Sequence, residues 1–594
     1  MVIFSDFDKA ILSDRVRSRR FFKLVRTRSF VLSAAALIVF ASAAFGQSAS
    51  VTTKVEIPAR PPVEEKPSAV TPEVINSDLR EAISIIQQNY GGQKALDYNQ
   101  LFKVSIDSML HTLDPHSNYF DAKEFEEFKT DQSSRYYGIG ATIGDMSDPN
   151  GKVVATYIKA TFDGAPANRA GLRYGDKIVS VNGENTLGKP YTDVRNLLRG
   201  KKGTVAKLVI ERLGTGKRET VEIVRDAVRQ PSIRESYMLK PGVGYLKMDG
   251  GFTQTTFMEF VADMRSLKAQ GMQQLIIDLR DNGGGLVGQA ARVAEAFLSD
   301  GQTILTQKGR VGTPTQRYDA ENPTPDRSPV VILVNRNTAS ASEILAGAMQ
   351  DHDRALIVGE ATFGKGLVQN PFMVDYGGML LLTIAKYTTP SGRLIQRDYS
   401  NGDLYSYYTD GGSFRNDDEP ARPQGAESHT DTGRAVYSGG GITPDITVKP
   451  NMITVARDRV QRGLLSPISA FSFDLIAGKV KGLEGYKIDR PITFGHDLQA
   501  RDFPINDELF NAFKTYAGSK YKVKATVADG EREFVQRMIR TELIQAAFGA
   551  ETSYQVFNEY DNQIAKALDS LPQAKRLSLD AMKVRASASP SEQK

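Results

Sequence analysis

The chain has 594 residues, 40% of them hydrophobic and 24% charged, with no cysteine. That length exceeds a single hydrophobic core and predicts several domains of ordinary globular composition, while the missing cysteines exclude disulfides, a cysteine nucleophile, thiolate metal sites and a lipidated cysteine. The formal charge of +5 resides in residues 1–46, which hold eight Lys/Arg and three Asp; the remainder is balanced at 67 of each sign, so a nucleic-acid-binding function is disfavoured.

The basic head reads as an export signal. Arg15 to Arg28 precede the apolar run Phe30–Phe45, which ends in small residues at Ala44-Phe45-Gly46. Ser18-Arg19-Arg20-Phe21-Phe22 partly resembles a twin-arginine signal, and the general secretory route fits equally. The run is short for a membrane span, so cleavage and release to the periplasm or cell envelope are expected. The alternative is anchoring to the inner membrane by an uncleaved signal. Residues 47–73, with Pro58, Pro61, Pro62, Pro67 and Pro72, read as a flexible spacer.

Residues 74–130 predict a helical N-terminal region. Ile75, Leu79, Ile83, Ile86 and Tyr90 recur at helical spacing, then Phe102, Ile106, Met109 and Leu113. Residues 131–230 change to short β runs with glycine turns. Ala170-Gly171-Leu172, Gly175-Asp176 and Val181-Asn182-Gly183 resemble a PDZ domain in its circularly permuted bacterial form. Such a domain adds an extended peptide to a strand edge and meets its terminal carboxylate with backbone N–H groups. Gly138, Ile139 and Gly140 are the candidate peptide-binding loop, where glycine lets the backbone approach closely. A plain tight turn is the competing reading.

Residues 231–450 alternate strand and helix and predict an α/β core. The expected strands are Val243–Met248, Leu275–Leu279, Val330–Val334, Ala355–Val358 and Met379–Tyr387; the expected helices are Thr255–Gln270, Val287–Leu298 and Ser340–Asp351. Residues 398–437, polar and glycine-rich, read as a long surface insertion, and 451–594 as a helical C-terminal region.

Ser340-Ala341-Ser342-Glu343 follows the apolar strand Val330–Val334 through a short loop. By itself it is a capping box. Its position also puts a serine at a helix N-terminus, where free N–H groups favour developing negative charge. Lys365 lies between Gly364 and Gly366; the default for a lysine is a solvated surface charge, but burial would lower its pKa and make a neutral amine available as a base. His352 is the competitor for that role, yet it falls at the far end of the helix that Ser340 opens. Eleven residues at about 1.5 Å rise separate the two by more than ~15 Å. No His/Asp/Glu cluster has metal-ligand spacing, and neither metal nor cofactor is expected.

These residues resemble the C-terminal processing (tail-specific) peptidases over residues 75–450. The matching strings are Leu113-Asp114-Pro115-His116-Ser117, Asp278-Leu279-Arg280-Asp281-Asn282-Gly283-Gly284-Gly285 and Ala339-Ser340-Ala341-Ser342-Glu343. Gly359-Glu360 with Phe363-Gly364-Lys365-Gly366, Thr389-Pro390-Ser391-Gly392, and Gly441-Ile442-Thr443-Pro444-Asp445 complete the set. The resemblance implies a ClpP/crotonase-like α/β core, Ser340 as nucleophile, Lys365 as general base and Gln369 orienting the lysine. It implies an oxyanion hole from Ala341 and a glycine of 283–285, with Gly284 the first choice. Asp351 matches an acidic position linked to activity and is expected to give structural support, because a carboxylate beside Lys365 would raise its pKa. His116 is expected to be structural. The implied partners are proteins with accessible, apolar C-terminal tails, with an adaptor or self-association in addition. Two other readings compete: a non-catalytic PDZ-bearing envelope adaptor, and a crotonase-like acyl-CoA enzyme.

Overall fold

The computed structural model describes residues 71–92, 95–310, 312, 314–400, 404–409 and 425–588. The expected export signal and nearly all of the proline-rich spacer lie outside these residues. The chain divides into a unit of residues 1–95 and a unit of residues 96–594. In the first, helix α1 (Pro72–Asn89) is capped by the Thr71 side chain with Pro72 at its first turn, a favourable start because proline has no N–H to leave unpaired. Ile75, Leu79, Ile83 and Ile86 form the predicted stripe and remain exposed. No helix among the described residues is long and apolar enough to cross a membrane.

The second unit opens with α2 (Tyr98–His111), strand β1 (Asn118–Phe120) and α3 (Ala122–Gln132). Of the stripe predicted on α2, Phe102, Met109 and Leu113 are exposed, and Leu110 is the helix's one buried residue.

The β region begins with β2 (Arg135–Gly138), β3 (Ala141–Ser147), β4 (Val153–Thr161) and β5 (Lys177–Val181). Helix α4 (Tyr191–Leu198), β6 (Val205–Glu211), β7 (Arg218–Val224) and β8 (Asp226–Arg229) follow. Antiparallel pairing runs β3-β4-β5-β6-β7, leaving β3 on the edge, and β2 pairs β8. Alternating burial along β6 sends Ala206, Leu208 and Ile210 into a small core with Ile158, Ile178, Val194 and Leu198, as period-2 patterning dictates.

The core follows. Its strands are β9 (Glu235–Lys240), β10 (Val243–Lys247), β11 (Gln274–Asp278), β12 (Thr303–Gly309), β13 (Gln316–Asp319), β14 (Val330–Val334), β15 (Ala355–Gly359), β16 (Leu367–Met373) and β17 (Met379–Thr388). Its helices are α5 (Thr256–Ala269), α6 (Val287–Glu295) and α7 (Ala341–Asp351). One sheet has the order β9-β10-β11-β14-β15, closed by β18 (Ile446–Thr447), and is parallel from β10 onward. An antiparallel sheet joins β1, β17, β12 and β13, with β16 also on β17. Every residue of β14 and of α7 is buried. Close packing around α7 depends on small residues: a Cβ on Gly347 would lie 2.9 Å from Thr389 Cγ2. The insertion contributes a short helix, α8 (Leu404–Thr409).

The C-terminal region has two destinations. Helices α9 (Val455–Ile476), α10 (Asp507–Tyr521) and α11 (Arg532–Phe548) build a core of their own that takes in Tyr157 and Tyr174 from the β domain. The Tyr174 hydroxyl donates to the buried Glu542 carboxylate at 2.5 Å. After α12 (Ala550–Asn558), helix α13 (Asn562–Ala588) lays Ile564, Ala567, Leu571 and Ala574 on the second face of the parallel sheet, against Ile276, Val331, Leu333 and Val358. That face would otherwise expose several large aliphatic side chains, each worth about 1.5–3 kcal/mol when buried.

Candidate active site

Ser340 follows β14 and caps α7 with φ +57° and ψ −119°. A positive φ costs a non-glycine residue about 1–3 kcal/mol, so surrounding contacts must hold it there. Those contacts converge on Glu343. Its carboxylate, fully buried, accepts from the Ser340 N–H at 2.8 Å, the Thr362 hydroxyl at 2.5 Å, the Gly364 N–H at 2.7 Å and the Lys365 N–H at 2.8 Å. Desolvation raises the Glu343 pKa, and the four donors oppose that shift. The buried phenol of Tyr387 adds a second tie, its hydroxyl lying 3.1 Å from the carbonyls of both Ser340 and Lys365. The serine turn and the lysine turn are thereby one assembly.

Lys365 is part-buried. Desolvation draws its pKa down to about 8, against the opposing pull of Asp114 and Glu343. Its Nζ donates to Gln369 Oε1 at 2.7 Å. The amide of Gln369 is fixed by its other end, where Nε2 donates to the His116 carbonyl; a carbonyl cannot donate, so the oxygen of the amide must face the lysine. No hydrogen bond joins Lys365 Nζ to Ser340 Oγ among the described residues.

The loop after β11 docks onto the serine. Asn282 O accepts from Ala339 N–H and from the Ser342 hydroxyl, both at 3.0 Å. Gly284 packs so closely that a Cβ there would lie 2.7 Å from Ser340 Cβ and 3.0 Å from Ala341 N, and its φ is +101°. The Gly284 N–H, however, donates to Asn282 Oδ1 at 2.9 Å. Among the described residues no acceptor is paired with the N–H of Ala341 or Gly285. The loop's start is anchored by Arg280, which pairs with Asp278 at 2.5 Å and with Asp561, just before α13, at 2.7 Å.

Asp351 lies at the other end of α7, in a bond to Arg393 at 2.6 Å, and accepts from Ser391 N–H and Oγ at 3.0 and 2.7 Å. His352 is equally committed, to Asp431 at 2.9 Å and the Thr303 carbonyl at 2.8 Å. His116 is brought to the lysine. Burial first, then the charges of Lys365 and Arg397, hold its pKa well below the usual value, so its ring is neutral. In the sequence Glu343 is marked only as a helix cap, and no local pattern signals its hold on Thr362, Gly364 and Lys365 or the parts played by Tyr387, the Asn282 side chain and the His116 carbonyl.

In the β domain, Gly138 ends β2, while Ile139 and Gly140 form the turn into edge strand β3. Gly140 has φ +74°, and a Cβ there would lie 2.4 Å from Ala165 Cβ. The carbonyls of Ile139 and Gly140 accept from Ala167 and Phe162, whereas their N–H groups have no acceptor among the described residues. The turn leads directly into β3, and α4 packs against that strand.

This architecture defines a serine-type endopeptidase core joined to a peptide-recognition module. The sequence profile of peptidase family S41 matches residues 242–404, and that of a PDZ domain matches residues 158–212. The carboxy-terminal-processing protease of Bartonella bacilliformis is 36% identical over 305 residues, covering 50% of this chain and 68% of that one. Carboxy-terminal processing protease CtpA of Bacillus subtilis is 33% identical over 320 residues, with 54% and 66% covered. Among solved structures, the photosystem II D1 C-terminal processing protease is 27% identical over 63% of this chain and 86% of its own, with a TM-score of 0.32. The chain belongs to the carboxy-terminal-processing proteases of peptidase family S41. It is an exported serine endopeptidase whose PDZ domain recognises peptide C-termini.

Proposed function

We propose that Ser340 is the nucleophile and Lys365 the general base of an acyl-enzyme mechanism, with Gln369 orienting the lysine. The observation that carries this reading is Glu343, whose one carboxylate holds the backbone of both the serine and a lysine of depressed pKa. A neutral amine has two N–H groups and one lone pair; Gln369 Oε1 takes one N–H, which restricts where the lone pair points. Ser340 Oγ attacks the scissile carbonyl and its proton passes to Lys365 Nζ. The oxyanion is met by the Ala341 N–H at the start of α7 and by a glycine of 283–285. If Gly284 is that glycine, its N–H must turn from Asn282 Oδ1 or be shared with it. Collapse breaks the C–N bond, Lys365 protonates the leaving amine, and an ester on Ser340 remains. Water then attacks the ester, giving up its proton to Lys365, and Ser340 is restored. Asp351 supports the far end of α7 and takes no part.

The PDZ turn Gly138-Ile139-Gly140 is proposed to receive the substrate's terminal carboxylate on the free N–H groups of Ile139 and Gly140, with the tail laid along β3. Apolar terminal side chains suit the neighbouring Ile143 and Leu197, which are only partly buried. The parallel sheet covered by α5, α6 and α7 supports a ClpP/crotonase-like core, and the basic, apolar head supports a periplasmic location. Trapping tests the chemistry. A fluorophosphonate or peptide boronate should modify the signal-free enzyme at Ser340, as read by peptide mass spectrometry, and Lys365→Ala should slow the labelling strongly. Labelling of another serine would overturn the assignment.

A further inference from the structure

We propose that Tyr407, on helix α8 of the insertion, is a positioning residue for the Lys365–Gln369 pair and acts on it through the loop that carries His116. This rests on the reading of Lys365 as general base.

Four links form the chain. The Tyr407 hydroxyl lies 2.7 Å from His116 Nε2. It also accepts from Gln396 Nε2 at 3.2 Å, which leaves the phenolic hydrogen for the imidazole and matches a neutral ring whose Nε2 is the acceptor. Tyr408, the next residue, donates to the Pro115 carbonyl at 3.2 Å. Two consecutive tyrosines of α8 thus grip two consecutive residues of the loop. The His116 carbonyl accepts from Gln369 Nε2, and Gln369 Oε1 accepts from Lys365 Nζ. The loop is tied within itself, because Asp114 Oδ1 accepts the N–H groups of both His116 and Ser117 at 2.8 Å, so it shifts as a unit.

The grip is itself well seated. The Tyr407 ring is buried with Ala339 and Phe363, and its carbonyl accepts from Arg397 Nη1 at 2.6 Å. Ala339 precedes the nucleophile, and Phe363 lies two residues before the lysine. An insertion that reads as a surface loop therefore reaches both halves of the site. The groups acting on the lysine charge are Asp114 and Glu343, while the charges of Lys365 and Arg397 act in turn on His116. Burial outweighs the two carboxylates in setting the lysine's basicity. Loosening the loop admits water to the amine and moves it toward an ordinary lysine.

The test is steady-state kinetics of the signal-free full chain on a tailed reporter peptide across about pH 6 to 9.5, for wild type, Tyr407→Phe, Tyr408→Phe and Lys365→Ala. Tyr407→Phe should lower kcat about tenfold near pH 7 with KM within about twofold, and raise the apparent pKa by about one unit, so the loss shrinks at alkaline pH. Tyr408→Phe should shift it the same way by less, and serves if Tyr407→Phe does not fold. Lys365→Ala should be inactive at every pH. Activity in Lys365→Ala would remove the base reading and this proposal with it. With Lys365→Ala inactive, an equal loss at all pH values in the tyrosine variants, or none, would show that Tyr407 only fills space and would overturn the proposal alone.

Discussion

The Glu343 carboxylate and the Lys365 backbone meet at 2.8 Å, across 22 residues and on the far side of a β-strand. Because Ser340 donates to the same oxygen, the position of the lysine turn relative to the serine is set by a single buried acid. Glu343→Ala would take the acceptor from four donors, two of them in buried bonds, and should destabilise the protein by about 3–5 kcal/mol. Glu343→Gln is the sharper experiment. It keeps the shape but sets an amide NH2 among N–H and O–H donors, so kcat should fall, and it removes a charge that raises the Lys365 pKa, so the apparent pKa of kcat/KM should move down. Thermal melts alongside the pH profile check both.

Wild-type activity should itself report the lysine. The acting form is the neutral amine, and the pKa is lowered to about 8. Below that value kcat/KM should fall by about tenfold per pH unit, and above it should level off. A profile governed by a group near pH 6.5 would point to a histidine instead.

Gly284 has no room for a side chain. Gly284→Ala would press a Cβ against Ser340 and demand a φ of +101° from alanine. We expect kcat/KM to fall at least about 100-fold, in the range lost with one oxyanion donor, with peptide binding to the PDZ domain unchanged. Kinetics paired with calorimetric titration of a tail peptide separates the two.

Gly140 offers the converse. Gly140→Ala would collide with Ala165 and oppose a φ of +74°, disturbing the turn proposed to hold the carboxylate. Affinity for a peptide with a free C-terminus should drop about tenfold or more, toward that of its C-terminal amide, since a charge-assisted hydrogen bond is worth about 1.5–3 kcal/mol. Turnover of a short ester substrate should be unaffected.

The core was legible because its strands are continuous apolar runs between turn residues: Val330–Val334 and Ala355–Val358 stand where the pattern put them. The start of α7 was equally plain from Ser-x-x-Glu. What the pattern could not carry was tertiary. The strain at Ser340 depends on contacts from another turn, and the link from Tyr407 to His116 spans 291 residues. The occupied N–H of Gly284 depends on which way the Asn282 side chain turns. Likewise Ile564, Ala567 and Leu571 mark a helix face, but not that the face seals the parallel sheet rather than joining the helices before it.

The most direct measurement is cleavage of an unfolded reporter with an apolar C-terminal tail by the signal-free wild type, Ser340→Ala and Lys365→Ala, each checked for folding by circular dichroism. The Ser-Lys account predicts robust cleavage by the wild type and none by either variant. Cleavage persisting in both folded variants would contradict it and require a different nucleophile.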